Sequence, residues 1–278
     1  MSMVNHNGAV VDITSVGLQD ISRAARYGDG LFESIRMLEG HIPFLRDHLE
    51  RLSAGMELLH LSLDHKPDEP WFIKELEKLP HSSNARLRLS VFRLGGGLYT
   101  PQSENAAFII EAEPYEGNSY ELNQEGLKIG LFKQGIVRST GRLSNFKTNN
   151  ALVSVTAGYY AAQKSYDEVA VLNTTGRVCD GVSSNIFVVM GKDIITPALD
   201  EGCVAGVMRK QLLSIAKELG YSAAEWRIKP KDLSLAEEIF FSNALKGIQW
   251  VGNFRKKTYS NKISAILHAQ LNRIVQKP

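Results

Sequence analysis

The stretch RLSNFKTNNALVSVTAGYYAAQKSYDEVAVLNTTGRVCDGVSSNIF, from Arg142 to Phe187, decides the fold of this chain. Near its start, Lys147 stands among amide-bearing and apolar residues, just before a run with helical spacing. The apolar positions of that run recur as one face of a helix does, at Ala151, Val155, Tyr159 and Ala162. We therefore expect a helix directly after the lysine, with this face buried against the core.

The second half of the stretch predicts two strands. Val169–Leu172 and Ile186–Met190 are apolar runs, and Asn173–Gly176 between them has the composition of a turn. Asp180 stands in the small, polar segment before the second run. A lysine beside apolar surface loses its proton more easily and can attack a carbonyl carbon. An acid on a neighbouring strand can hold a protonated ring nitrogen.

Three ordered motifs in this stretch carry a family resemblance. They are Lys147-Thr-Asn-Asn, Asp167-Glu-Val-Ala-Val-Leu172 and Gly176-Arg-Val-Cys-Asp-Gly-Val-Ser-Ser-Asn-Ile-Phe187. In that order they resemble the fold-type IV pyridoxal-phosphate enzymes, which include branched-chain and D-amino-acid aminotransferases and aminodeoxychorismate lyase. The resemblance implies pyridoxal 5′-phosphate bound covalently at Lys147, which then acts as the general base, and Asp180 at the pyridine nitrogen. The family carries glutamate at the latter position, so we expect the shorter aspartate to reach the nitrogen directly or through water.

Length and composition fit such an enzyme. The 278 residues have room for two modest domains, and 44% of them are hydrophobic, as in an ordinary globular protein. The net charge of +2 gives no argument for nucleic-acid binding, and no apolar run is long enough to span a bilayer. Polar residues interrupt the N-terminus, so we expect no signal peptide. Two cysteines form no disulfide framework or metal-site spacing, which favours the cytoplasm.

The first part of the chain predicts a sheet and a helix. We expect a hairpin from Met3 to Ile13, a strand from Leu31 to Leu38 that returns through Ile42, Phe44 and Leu45, a helix from Asp47, and strands at Arg86–Arg93 and Ala106–Ala112. His48-Leu-Glu-Arg51-Leu52 matches the family's phosphate-arginine segment, which implies that Arg51 binds the cofactor phosphate. A planar guanidinium suits a phosphate. His48 is assigned a packing or orienting role.

The last part of the chain contains two further phosphate candidates. A helix is expected from about Gly202 to Leu219 with Gly220 as its stop, and a glycine near a helix start frees main-chain N–H groups for an anion. The resemblance assigns Gly206, Val207 and Met208 to this role, and it assigns Asn243 and Ala244 in a later loop. Ser234 and Glu237 read as a capping box, and Ser260 or Asn261 as the cap of a final helix.

Substrate-binding candidates gather several cations and two aromatic residues. The resemblance points to a group composed of Phe32, Arg36, Arg93, Tyr99 and Arg142, with Arg138 as a weaker candidate. Arg93 and Tyr99 flank a run of three glycines that we expect to form a loop, and it resembles a loop of the lyases. Leu98 replaces an arginine of the lyase loop.

Together these features predict a two-domain α/β enzyme of α+β character, similar to D-amino-acid aminotransferase. The expected domains are residues 1–118 and a larger cofactor-binding domain at 119–278, with the cofactor in the cleft between them, in a homodimer. We favour transamination between an amino acid and a 2-oxo acid, with aminodeoxychorismate cleavage as the alternative. A catalytically silent cofactor-binding protein is a third hypothesis. A nucleotide-binding module is disfavoured because its glycine-rich motifs are missing.

Overall fold

The computed structural model describes residues 2–276, with the backbone alone at residues 18–20. The chain folds into two compact units. The first comprises the chain up to Asn118 together with Phe146–Asn150, and the second comprises Ser119–Asn145 and the chain from Ala151 onward. The short segment that carries Lys147 therefore belongs to the first unit, whereas we expected it in the larger domain. Among residues 2–276 no helix has the length and apolarity needed to cross a membrane.

The first unit is a five-stranded antiparallel sheet with helices. Its elements are β1 (Met3–His6), β2 (Ala9–Asp12), α1 (Leu18–Tyr27), β3 (Gly30–Met37), α2 (Leu45–Leu59), α3 (Glu69–Leu76), β4 (Ala85–Arg93) and β5 (Ala106–Pro114). The strand order is β2-β1-β5-β4-β3. The predicted hairpin and the strands at β3, β4 and β5 are confirmed.

The alternation of β4 decides which face of this sheet is buried. Leu87 and Leu89 are fully buried and join the core that α2 covers, whereas Arg86 and Arg88 project from the other face. Phe32 of β3 lies opposite Ser90, and Ser34 lies opposite Arg88. The polar face of the sheet therefore carries Phe32 and Arg88 side by side.

The returning strand that we expected after β3 is not formed. Leu38 and His41 make one isolated bridge, and α2 then begins at Leu45. Phe44 has a left-handed backbone with φ of 58°, which turns the chain directly into the helix. The apolar residues Ile42, Phe44 and Leu45, which we predicted to form a strand, therefore form a turn and the start of a helix.

The second unit contains a nine-stranded mixed sheet. Its elements are β6 (Leu127–Leu131), α4 (Leu152–Gln163), β7 (Glu168–Leu172), β8 (Val178–Asp180), β9 (Asn185–Met190), β10 (Asp193–Pro197), α5 (Val207–Glu218), β11 (Ser222–Trp226), α6 (Pro230–Leu235), β12 (Glu238–Asn243), β13 (Gly247–Phe254), β14 (Lys257–Thr258) and α7 (Lys262–Val275). The order is β11-β10-β9-β12-β13-β6-β7-β8, with β14 paired to β13. The fold is thus mixed α/β, as predicted.

Two helix details in this unit differ from expectation. The buried face of α4 consists of Ala157 and Ala161, whereas Val155 and Tyr159, which we expected to be buried, are 63% and 69% exposed. The capping box also lies elsewhere. The carboxylate of Asp232 accepts a hydrogen bond from Lys229 N at the start of α6, so Ser234 lies inside that helix.

Candidate active site

The main chain around Lys147 is fixed as an extra edge of β3. Phe32 N donates to Lys147 O at 2.8 Å, and Asn149 N donates to Gly30 O at 3.0 Å. Leu31 and Thr148 complete the antiparallel pairing. Because these hydrogen bonds hold the backbone from the Lys147 carbonyl to Asn149, the lysine side chain starts from a defined position.

Gly28 and Gly30, at the start of β3, are required by this close approach. A Cβ on Gly30 would lie 2.6 Å from Val91 O and 2.7 Å from the amide nitrogen of Asn149. A Cβ on Gly28 would lie 2.9 Å from the Asn150 side chain, and Gly28 has a φ of +67°. The two glycines thus leave room for Asn149 and Asn150 of the lysine segment.

The aromatic ring of Phe32 contacts two cationic side chains, those of Lys147 and Arg88. The Lys147 amine is 4.5 Å from the centre of the Phe32 ring, and the Arg88 guanidinium is 4.0 Å from it. Arg88 is half-buried, donates to Ser90 Oγ at 3.2 Å and lies 3.6 Å from the Glu111 carboxylate. Phe32 thus lies beside the lysine, and its substrate role stays a prediction. Arg88 was not among the sequence candidates, although its alternation with Leu87 and Leu89 placed it on the right face.

Arg51 is held by a buried carboxylate. Its Nε and Nη2 donate to the two oxygens of Glu33 at 2.8 and 2.5 Å, and His48 Nδ1 lies 2.7 Å from Glu33 Oε2. Although burial opposes ionisation, the Arg51 charge and the His48 hydrogen bond lower the pKa of Glu33 to about 2. Burial lowers the pKa of His48, and the Arg51 and Lys147 charges add to that. The orienting role assigned to His48 from sequence agrees with this geometry.

Two predicted substrate arginines are engaged elsewhere. Arg36 lies four residues along β3 from Phe32. It donates to the Glu116 and Gly117 carbonyls at 2.5 and 2.6 Å and stacks 3.9 Å from the Tyr115 ring centre. These contacts lie at the far end of the strand from Phe32, and the substrate role of Arg36 stays a prediction.

Arg93 is a structural clamp. It is buried and donates to Asp29 at 2.9 Å and to the carbonyls of Leu59 and His60 at 2.5 and 2.7 Å. Arg23 of α1 shares the Asp29 carboxylate at 2.8 Å. Asp29 and the main chain use these donors, and the assignment of Arg93 to a substrate carboxylate stays a prediction.

The glycine-rich loop between β4 and β5 is fastened to α1. Arg23 Nη1 donates to the carbonyls of Gly97 and Leu98 at 3.1 and 2.9 Å. Tyr99 packs against Tyr27 with ring centres 5.6 Å apart, and it is 90% exposed. Its substrate role stays a prediction.

In the second unit, the buried Asp180 carboxylate is contacted by three polar groups. Its two oxygens accept hydrogen bonds from Asn185 Nδ2 at 2.8 Å and from Val204 N at 2.9 Å, and Arg138 Nη1 lies 3.4 Å away. Burial raises the pKa of Asp180 to about 6 against these three charge-stabilising partners. Arg138, the weaker sequence candidate, thus contacts this acid, whereas Arg142 is exposed on a short turn.

Asn185 joins these groups to the start of α5. Its Nδ2 also donates to Val204 O at 2.8 Å, and any Cβ on Gly206 would collide with its Oδ1. Gly206 caps α5, so Val207 and Met208 supply the first-turn main-chain nitrogens. Ser242, directly opposite Asn185 in the sheet, has a buried hydroxyl with no hydrogen-bond partner among residues 2–276. A glycine-capped helix start beside an unsatisfied hydroxyl fits an anion such as a phosphate.

The loop after β12 is well ordered by its own asparagine. Asn243 Oδ1 accepts hydrogen bonds from Leu245 N at 3.1 Å and Lys246 N at 2.9 Å, and Tyr120 Oη donates to Ala244 O at 3.1 Å. These contacts fix the main chain at Asn243 and Ala244, the two loop residues predicted to contact phosphate.

Known proteins resemble the chain along most of its length. The family model "Amino-transferase class IV" matches residues 30–254. A branched-chain-amino-acid aminotransferase of Escherichia coli is 27% identical over 250 residues, which cover 85% of this chain and 79% of that enzyme. An aminodeoxychorismate lyase of Vibrio harveyi is 26% identical over 238 residues, covering 84% of this chain and 86% of the lyase.

A solved structure shows the same fold. The branched-chain aminotransferase from Thermoproteus uzoniensis, determined with norvaline, superimposes with a TM-score of 0.87 and 25% identity over 99% of this chain and 94% of that one. The described fold, the lysine segment and the family match agree. The chain therefore belongs to the class IV aminotransferase family, whose members use pyridoxal phosphate.

Proposed function

We propose that this enzyme transfers an amino group between an amino acid, of the branched-chain or D-amino-acid type, and a 2-oxo acid. Arg88 carries the proposal, because its half-buried guanidinium shares the Phe32 ring with the Lys147 amine. A guanidinium pairs with one carboxylate through two parallel hydrogen bonds. One such cation beside the reactive amine suits a substrate with a single α-carboxylate.

The proposed roles divide among the residues described above. Lys147 would hold the cofactor covalently, and once the substrate's amino group has displaced it, the freed amine would move the proton at the substrate Cα. Arg51, the α5 nitrogens at Val207 and Met208, and the Asn243–Ala244 loop hold the phosphate. The cofactor supplies an electron sink when bound. Phe32 and Tyr99 border the substrate.

Asp180 is proposed to keep the cofactor's ring nitrogen protonated, by direct or water-bridged contact. Its carboxylate already accepts from Asn185 and Val204 N, which hold it in one orientation. Asp180→Asn should lower activity and change the absorption of the bound cofactor. Full activity with an unchanged spectrum would show that this assignment is wrong.

Aminodeoxychorismate lyase is the second candidate. The observation that favours it is the Asn243 turn within Ser242-Asn-Ala-Leu245, an element that resembles the lyase subgroup. A lyase must hold two substrate carboxylates, and an unpaired carboxylate is costly in a closed site. Leu98 stands where the lyase loop carries its second arginine, so that cation is missing for the second carboxylate.

Offering the purified enzyme both chemistries tests the proposal. One reaction contains an amino donor with 2-oxoglutarate, and the other contains aminodeoxychorismate alone. We expect a new amino acid in the first reaction. Pyruvate and 4-aminobenzoate in the second, without amino transfer in the first, would establish the lyase instead. Borohydride reduction of the loaded enzyme should label Lys147, and a missing label there would exclude every covalent role for this lysine.

We further propose a homodimer located in the cytoplasm. The apolar residues exposed on α4 support a protein partner, since exposed apolar patches on a protein surface mark interaction sites. Cys179 and Cys203 are buried and unpaired, which suits a reducing compartment.

A further inference from the structure

Glu33 is an acid buried on the apolar face of a sheet. Its neighbours on that face, Leu31 and Ile35, belong to the core that α2 covers. The carboxylate nevertheless stays ionised, because the Arg51 charge and the His48 hydrogen bond lower its pKa to about 2 despite burial. The chain therefore keeps a full negative charge where an apolar side chain would pack.

The partners of Glu33 come from one face of one helix. His48 and Arg51 are three residues apart on α2, so both side chains reach the same carboxylate. Both Glu33 oxygens are engaged by Arg51, and this fork-to-fork arrangement fixes the plane of the guanidinium. Because Glu33 is ionised, the Nδ1 of His48 must carry the shared proton.

Stability alone is a weak reason to keep such a pair. A buried ion pair is often replaced by apolar residues without loss of stability, whereas removal of one partner is strongly destabilising. The cluster also lies near Lys147, since Phe32, the residue before Glu33, donates its N–H to Lys147 O at 2.8 Å. A fixed guanidinium near that lysine is useful if it must meet one group of a bound molecule in one orientation.

We propose that Glu33 is a positioning residue for the cofactor phosphate, which acts by holding Arg51 in its phosphate-binding orientation. The proposal rests on the proposed function, in which Arg51 binds that phosphate. Glu33 itself does not contact the cofactor. Its effect should therefore appear only with a ligand that carries the phosphate.

The variant Glu33→Gln removes the charged, two-point contact with Arg51 while it keeps the shape of the side chain. A carboxamide has one acceptor oxygen, so its NH2 group must face a donor of Arg51 or His48. We expect the Kd of the apoenzyme for pyridoxal phosphate to rise about tenfold, the loss that corresponds to one charge-assisted hydrogen bond. The Kd for pyridoxal, which has no phosphate, should stay unchanged. Absorbance titrations of the apoenzyme measure both constants.

Glu75→Gln is the matched control. Glu75 is another buried carboxylate of the first unit, paired with Lys78 at 2.7 Å and with Asn5 at 2.9 Å. Its loss should lower the Tm while both dissociation constants stay at their wild-type values. If Glu33→Gln does not fold, Glu33→Asp should show the same phosphate-specific loss, since the shorter acid cannot reach both partners.

The outcomes separate the two proposals. Equal effects of the Glu33 variants on both ligands, or no effect on either, would overturn the positioning role while the proposed function stands. If the wild-type enzyme binds pyridoxal and pyridoxal phosphate equally well, the phosphate role of Arg51 fails, and the positioning role fails with it.

Discussion

Arginines in the first unit differ in the atoms that they meet. Arg36 and Arg93 donate to main-chain carbonyls, which lock loops to the sheet. Arg88 instead lies over an aromatic ring with side-chain partners, one of them at 3.6 Å. A guanidinium held by weak side-chain contacts can exchange them for a substrate carboxylate, whereas one held by carbonyls would leave those carbonyls unsatisfied.

Arg88→Gln should therefore impair substrate binding. We expect kcat/KM for the amino acid to fall about 100-fold, because a charge-assisted bidentate contact is lost. Steady-state transamination assays measure this. Arg86→Gln is the control, since Arg86 lies on the same face but pairs with Glu113 in an exposed position. A similar fall in both variants would argue against a specific role for Arg88.

The pH dependence of apoenzyme stability should reveal Asp180. Burial raises its pKa from 3.8 to about 6, so the folded chain holds this proton more tightly than the unfolded chain. The contribution of Asp180 to the free energy of unfolding is therefore full below pH 3.8, and it is lost as the pH rises through about 6. Relative to Asp180→Asn, the wild-type protein should lose about 3 kcal/mol over that range. Urea unfolding of both apoproteins across that pH range measures this, and a pH-independent difference would contradict it.

At the scale of elements, β3 and the segment that carries Lys147 are joined by backbone hydrogen bonds. Gly30→Ala places a methyl group against the Val91 carbonyl and the Asn149 amide. Because a backbone atom cannot give way cheaply, we expect a loss of about 1–3 kcal/mol in stability and weaker cofactor binding. Chemical unfolding and cofactor titration test this.

Gly40→Ala provides the comparison for that substitution. Gly40 has a φ of +84°, and a Cβ added there would meet nothing within 4 Å. An alanine there should cost about 1 kcal/mol through backbone strain and leave cofactor affinity unchanged. Weaker cofactor binding in this variant as well would mean that the effect at Gly30 is not local.

Periodicity predicted most elements, but it could not decide their surroundings. Alternation identified β4, whereas the helix that we expected from about Gly202 begins five residues later, at Val207. Helix α4 carries apolar residues on more than one side, so spacing alone could not tell Ala157 from Val155 as the core face. The contacts of the side chains on β3 could not be predicted either. Strand alternation gives the face on which Arg36 lies, but it does not give the carbonyl groups to which Arg36 donates.

At the scale of the whole molecule, the exposed side of α4 predicts self-association. Leu152, Val155 and Tyr159 are 72%, 63% and 69% exposed and share one side of the helix. If this side contributes to the homodimer interface, Val155→Lys should weaken the dimer, because a charge would be buried without a partner. Sedimentation velocity should show a dimer for wild type and more monomer for the variant.

Leu235→Lys is the control for association. Leu235 has a similar exposure, 66%, at the end of α6. This variant should sediment as the wild-type protein does. A monomeric, fully active wild-type enzyme would refute the homodimer itself.

The assignment of Phe146–Asn150 to the first unit has a consequence for synthesis on the ribosome. The edge of β3 at Gly30–Phe32 emerges early, but the segment that pairs with it is made more than a hundred residues later. During that interval the nascent first unit exposes an unpaired strand edge, which is a template for wrong pairing. A chain truncated after Asn118 would keep this edge open permanently and would never contain Lys147.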